Sequence, residues 1–406
     1  MSLSFSLTAA LLSLLPLISS SPIQDVQPRA ALQSFAVQQV PNPKFQGYDN
    51  AGPAALLRTF YKYNVQPPAA ARAMVNSTGI VAATPFPAEY DREYVAPVSL
   101  GTPAQELNLI FDTGSSDLWV FSTSMPAAQV AGQKLYNPSG SSTSAVLWGH
   151  TWSIQYGDGS RSSGTVVNEL VTIGGISYAS QALEIANGVS AQFSQDPASS
   201  GLLGLGFSIL NTVIPTSQKT WFDNVLPTLA APVFTVDLKR AAPGTYTFGA
   251  IDASSYAGKI EYTPIDNSNG FWRLQASGYQ VGTSPFQPTT IDAIADTGTT
   301  LLMLPAAIVK AYYAQVPGSQ LHASYGAYTF PCSAKLPSFT FGIGRYRGVI
   351  PGAFVSYGRI DATTCYGGIQ DQGNLPFSIF GDILMKAQVV VFDAGRTRIG
   401  FAAKKV

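Results

Sequence analysis

The feature that most constrains this chain is a short acidic motif that it carries twice. Phe111-Asp112-Thr113-Gly114-Ser115-Ser116 recurs as Ala295-Asp296-Thr297-Gly298-Thr299-Thr300. Each copy ends an apolar run that reads as a β-strand. Each is followed, at a similar distance, by two apolar residues and a glycine: Leu202-Leu203-Gly204 in the first half and Ile379-Phe380-Gly381 in the second. A repeat of this kind implies two related lobes, each presenting one Asp-Thr-Gly loop.

An acid at the end of an apolar strand is costly to bury without partners, and the motif supplies them. Gly114 and Gly298 permit tight turns and leave their N–H groups free to point at a carboxylate. Thr113 and Thr297 can tie the two loops together, and Ser115 and Thr299 place hydroxyls beside the outer oxygen of each aspartate. If the lobes meet about a pseudo-two-fold axis, Asp112 and Asp296 lie side by side. Like charges that close resist double ionisation, so the pair shares one proton. One carboxylate can then take a proton from a water while the other donates a hydrogen bond to a peptide carbonyl. That chemistry needs no nucleophilic side chain, metal or cofactor, and it belongs in acid.

The rest of the chain agrees with a β-rich body. Only 11% of the 406 residues are charged against 46% hydrophobic, and Gly, Ser, Thr and Pro clusters separate short apolar runs. Tyr94–Leu100, 107–111, 165–173, 233–238 and 389–392 read as strands. Short helices are expected over 305–315 and 219–226. The formal net charge is zero, so nothing points to nucleic acid or an anionic membrane. His150 and His322 stand far apart with no ligand cluster around either, so no metal site is expected. A length above 400 residues suggests two or three units.

The first 83 residues differ. Residues 7–18 are apolar and precede Ser19-Ser20-Ser21, as in a secretory signal, although no Lys or Arg comes before them. The stretch is too short, and too interrupted by Pro16, to span a membrane, and no membrane anchor is visible at the C-terminus. Residues 53–63 are compatible with a helix bearing Arg58 and Lys62, 66–87 read as a linker and a zone of proteolytic processing, and Asn76-Ser77-Thr78 within it is a glycosylation sequon. Up to residue 83 the charge balance is +3, from five basic residues against Asp25 and Asp49, and the remainder carries −3. The two cysteines, Cys332 and Cys365, could remain free thiols or pair. Pairing would add about 3–4 kcal/mol on the chain-entropy model.

At this point the chain resembles the pepsin-like aspartic proteases, above all the fungal secreted branch that includes penicillopepsin and aspergillopepsin. Residues 111–120, ending Asp117-Leu118-Trp119-Val120, resemble that family's first active-site motif, and 296–300 its second. The resemblance runs from about Tyr94 to the end and, more weakly, through the leader. It implies an all-β, bilobal fold with pseudo-two-fold symmetry and a central cleft, and a monomer that cleaves protein and peptide substrates and is blocked by pepstatin-type inhibitors. Asp112 and Asp296 take the catalytic role by position. Tyr156-Gly157-Asp158-Gly159-Ser160 resembles the tip of the flap hairpin, with Tyr156 bonded to Trp119 over the first specificity pocket. Asp158 stands where related enzymes carry an acid that helps accept Lys before the cut, with Arg161 near enough to compensate it. Cys332 and Cys365 match the second-lobe disulfide. Lys62-Tyr63 resembles the inhibitory pair of the propeptide.

The expected organisation is a signal peptide over 1–20, an inhibitory propeptide over 21–83 with its end between 69 and 84, a first lobe over 84–253 and a second over 254–406. The expected product is a secreted, extracellular endopeptidase that prefers large apolar residues flanking the cut. Two rivals remain: a non-catalytic binding relative, which would have lost part of the motifs, and a glycosidase, whose two carboxylates need a wider separation. No Gly-x-Ser-x-Gly elbow supports a serine hydrolase.

Overall fold

The computed structural model describes residues 32–41, 51–72, 94–155, 161–190, 194, 199–240 and 242–405. The apolar segment 7–18, the Asn76 sequon and the flap residues 156–160 lie outside them. From Leu32 onward the chain makes one compact unit, and it is an all-β, bilobal, pepsin-like fold.

The sequence repeat is a structural repeat. In the first half, strand Gln105–Asp112 runs parallel to Gly201–Gly204, with Asp112 opposite Gly204, and Leu118–Val120 runs antiparallel along the other edge of Gly201–Gly204. In the second half, Gln287–Ala295 runs parallel to Ser378–Phe380, with Ala295 opposite Phe380, and Leu302–Leu304 lies antiparallel beyond it. The correspondence extends one strand further. Leu118–Val120 has a parallel neighbour in Ile176–Val189, as Leu302–Leu304 has in Ile369–Asp371. The glycine closing each repeat is a packing requirement. A Cβ on Gly204 would stand 2.5 Å from Ser116 Cα, and one on Gly381 2.2 Å from the Thr299 carbonyl oxygen.

A sheet shared by both halves joins them. Its order is Phe35–Gln38, Ala242–Phe248, Val233–Lys239, Gln388–Asp393, Arg398–Lys404, Tyr256–Asp266. At its centre Val236 faces Val390 and Phe234 faces Phe392, with the two phenyl rings stacked at 4.5 Å. Strand 388–393 is buried at every position, which is why its middle, 389–392, reads as a continuous apolar run rather than an alternation. The helices expected over 305–315 and 219–226 are Ala306–Tyr313 and Trp221–Val225. Cys332 and Cys365 form a disulfide, with Cys365 on strand Thr364–Gly367.

The leader packs on this body. Strand Phe35–Gln38 adds to the edge of the shared sheet beside Ala242–Phe248, and Phe35 stacks on Phe248 at 5.2 Å. The helix expected over 53–63 is Ala51–Lys62, and it buries Leu56, Leu57 and Phe60. A Cβ on Gly52 would meet the Tyr366 ring at 2.3 Å, so glycine lets the helix approach that ring. The linker reading of 66–87 is corrected over 66–72, and the remainder lies outside the described residues. Residues 69–72 are helical and Ala71 is fully buried. Small alanines there permit close packing, with Pro68 and Ala70 against Gly326.

Candidate active site

Asp112 and Asp296 meet where the two repeats meet. They are 1% and 0% exposed, and they lie close enough that one ammonium, that of Lys62, reaches both carboxyl groups. Each is held by its own loop. Gly114 N–H donates to Asp112 Oδ1 at 2.8 Å and Ser115 Oγ to Asp112 Oδ2 at 2.6 Å. Symmetrically, Gly298 N–H donates to Asp296 Oδ1 at 2.9 Å and Thr299 Oγ1 donates to Asp296 Oδ2. The threonines cross between the loops. Thr113 N–H donates to Thr297 Oγ1 and Thr297 N–H to Thr113 Oγ1, both at 3.0 Å. The two hydroxyls in turn donate to Ala295 O at 2.9 Å and Phe111 O at 2.7 Å. Every polar atom of this grip is paired, which makes its burial tolerable.

The glycines have a second duty. A Cβ on Gly114 would stand 2.4 Å from Asp296 Oδ1, and one on Gly298 2.3 Å from Asp112 Oδ1. Each glycine therefore makes room for the aspartate of the other lobe.

A cation from the leader lies between the acids. Lys62 Nζ is 2.7 Å from Asp112 Oδ1, 2.8 Å from Asp296 Oδ1 and 3.0 Å from Asp296 Oδ2. Tyr63 donates its hydroxyl to Asp296 Oδ2 at 2.6 Å, and its ring lies edge-on to Phe271 and Phe377 at 5.7 and 5.3 Å. The end of the helix aims both side chains. Asn64 adopts the left-handed conformation with φ 55°. Its N–H donates to Tyr61 O, and Val65 N–H donates to Phe60 O. These two bonds make a Schellman ending, in which Asn is one of the few residues at ease.

Electrostatics divide the pair. Burial pushes the Asp112 carboxyl up to about 6, and the Asp296 charge adds to the rise against the pull of Lys62. Burial works on Asp296 in the same direction. There the Lys62 ammonium and hydrogen bonds from Asp112, Lys62 and Thr299 prevail and hold it down at about 2. The pair thus keeps one proton across the acid range. Burial acts to lower Lys62, but the two aspartates outweigh it and raise its pKa. Burial and the same two charges raise Tyr63 well above the ordinary phenol value, so it remains a donor.

Ten of the expected site residues therefore converge: Lys62, Tyr63, 112–115 and 296–299. Trp119 is buried in a separate cluster, stacked on Trp152 at 5.9 Å and near Phe121 at 5.6 Å. Tyr156, Gly157, Asp158 and Ser160 lie outside the described residues, so their relation to Trp119 and to the site is not described. Cys332 and Cys365 belong to a separate four-stranded sheet, where they join its two central strands. Sequence reasoning missed Phe271 and Phe377, which have no motif of their own. It also missed Tyr246, whose hydroxyl donates to Phe111 O at 3.2 Å beneath the grip.

Comparison with known proteins agrees with this geometry. The family described as eukaryotic aspartyl protease matches residues 93–404. Endothiapepsin of Cryphonectria parasitica is 49% identical over 392 residues, covering 94% of this chain and 93% of that protein. Penicillopepsin-3 of Penicillium janthinellum is 50% identical over 373 residues, covering 91% and 92%. The crystal structure of an aspartic proteinase from Irpex lacteus superposes with a TM-score of 0.64 at 26% identity, covering 77% of this chain and 94% of that one. With two Asp-Thr-Gly loops joined in one buried carboxyl pair, and with these relatives, the chain belongs to the eukaryotic aspartyl protease family and is a pepsin-like aspartic endopeptidase of the fungal kind.

Proposed function

We propose that the protein is made as a secreted zymogen, with residues 1–20 as signal peptide and 21–83 as inhibitory propeptide. In this reading Asp112 and Asp296 hydrolyse peptide bonds in acid through a water held between them. The observation that carries it is the buried pair of carboxyl groups, close enough for the Lys62 ammonium to reach both. Below the titration of Asp112 one carboxyl is neutral and the other ionised, the state in which one can accept a proton from water and the other can donate to the substrate carbonyl. The same closeness disfavours the glycosidase alternative, whose two carboxyl groups work about 5 Å or more apart.

Lys62 stands where that water would be needed, so the docked leader blocks the reaction. Its hold weakens in acid by a definite sign. Lys62, with its raised pKa, stays charged, while Asp112 takes up a proton as pH falls through about 6 and stops attracting it. Docking is therefore strong above that pH and weaker below it, where Asp296 alone still attracts Lys62. Tyr63 between Phe271 and Phe377 favours large apolar side chains next to the cut. Asp158, with Tyr156, Gly157 and Ser160 as the flap and Trp119 behind it, admits Lys before the cut. The active enzyme works as a monomer.

Acid cleavage of denatured haemoglobin, with and without pepstatin, tests the reading. Asp112→Asn and Asp296→Asn should each lower turnover by at least about a thousandfold, as removal of an acid–base group does, with the fold unchanged by circular dichroism. Residual activity near wild type in either variant would remove the pair from the mechanism. For specificity, Asp158→Asn should slow cleavage after Lys and leave cleavage after Leu or Phe unaltered. An unchanged preference would end the role of Asp158.

A further inference from the structure

Five residues after Asp112 the same loop buries another acid. Asp117 is 2% exposed, and Glu184, on strand Ile176–Val189, is 0% exposed. They come together because that strand runs parallel to Leu118–Val120, with Glu184 opposite Trp119. The Asn211 amide joins them: Nδ2 donates to Asp117 Oδ1 at 3.0 Å and to Glu184 Oε1 at 2.8 Å. Its orientation is fixed from the other side, where Asn211 Oδ1 accepts from Val213 N–H at 3.2 Å and Gln218 N–H at 2.7 Å. Nδ2 therefore faces the acids whatever their charge.

The two acids are not treated alike. Asp117 Oδ1 also accepts from Thr212 N–H at 2.7 Å and Thr212 Oγ1 at 3.1 Å, the donor set of an ionised carboxylate. Glu184 Oε2 is buried and accepts no hydrogen bond. An ionised Glu184 would leave that oxygen unpaired beside a second negative charge, near the cluster of Trp119, Trp152 and Val166. Protonation would make the same oxygen a donor, with the Asp117 carboxylate, held on the same Asn211 amide, as the acceptor beside it.

Among the described residues no cation relieves the pair. Leu118–Val120 brings Trp119, strand Arg161–Ile173 brings Val166 opposite Glu184, and residues 211–212 bring an amide and a hydroxyl. Helix Trp221–Val225 offers only Asp223, already bonded to Ser208, and Lys219 is exposed. The Asp117 charge is the one that acts on Glu184, and burial with that charge pushes its carboxyl well up.

We propose that Asp117 and Glu184 form a structural acid pair that anchors the first Asp-Thr-Gly loop only while it keeps one shared proton, so that the first lobe loosens as pH rises. The loop depends on this anchor directly, since Asn211 Nδ2 also reaches Ser116 O at 3.4 Å and Gly204 N–H donates to Asp117 O at 2.8 Å. The sign follows from proton counting. The unfolded chain ionises Glu184 at the ordinary carboxyl value, while the folded chain retains its proton. The folding equilibrium constant therefore falls about tenfold for each pH unit above that value until the folded protein also lets the proton go.

Urea unfolding of the full chain, followed by tryptophan fluorescence at a series of pH values from about 5 to about 8, tests this. Glu184→Gln keeps both bonds, with Oε1 accepting from Asn211 and Nε2 donating to Asp117, but has no proton to lose. Its folding constant should fall less steeply with pH than that of the wild type, by up to about tenfold per unit. Asp117→Asn removes the shared proton from the other side and should flatten the curve in the same way. Either variant folding with the wild-type slope overturns the proposal. So does failure of both to fold where the wild type folds, because the amide is the isostere of the state the proposal requires. The readout is folding, so it stands apart from the catalytic roles of Asp112 and Asp296.

Discussion

The Lys62 ammonium sits 2.7 Å from Asp112 Oδ1 and 2.8 Å from Asp296 Oδ1, and its removal leaves two buried carboxylates facing each other. Breaking one side of a buried ion pair costs about 3 kcal/mol or more, or about a hundredfold in the ratio of docked to released leader. Lys62→Met should therefore give a full chain that cleaves peptides in mild acid, just below the titration of Asp112, without prior exposure to stronger acid, whereas the wild type needs it. Assaying both proteins before and after an acid pulse reads the difference, and equal latency would show that the leader is held by its apolar helix alone. At this scale much of the site was legible. Thr113, Gly114, Ser115 and their counterparts sit at fixed offsets from an aspartate, and an offset of two or three residues in a tight loop nearly fixes what a side chain can reach. Glu184 was not legible. It lies within a stretch of six consecutive buried residues, 181–186, on a strand covered on both sides. No alternation marks it, and its partner is 67 residues away in the chain.

Among the elements, the disulfide lends itself to an independent test. Cys365 is opposite Phe330 on strand Ala327–Pro331, and Cys332 N–H donates to Thr363 O at 2.8 Å, so the bridge clamps two central strands already paired by their backbone. Its 33-residue separation corresponds to about 3–4 kcal/mol of chain entropy. Replacing both cysteines by serine should lower Tm by about 6–10 °C and leave kcat at room temperature unchanged, because Asp296 hangs from a different sheet. Calorimetry together with a peptide assay distinguishes this from a role in the site, which would lower both. The elements also show where pattern reading fails. Residues 53–63, rich in Ala and Leu, read as a helix, and all but Tyr63 lie in one. Residues 66–73 are rich in Pro and Ala, which reads as a linker, yet Ala71 is buried because small side chains suit close packing as well as they suit solvent.

For the whole molecule, the sequence determined that there would be two loops, what each would hold and what chemistry the pair could do, because a motif and its repeat are local and survive without knowledge of the rest. It also marked the β-rich body through apolar runs between turn residues. Tertiary structure alone decided the rest. It set Thr113 against Thr297 across 184 positions of chain. It interleaved strands 233–248 with 388–404 in one sheet, and it built the acid pair of Asp117 and Glu184 under the first loop. The reason is physical: a backbone offset of a few residues is fixed by bond geometry, whereas the partner of a buried charge or of a strand edge is chosen by the packing of the whole chain.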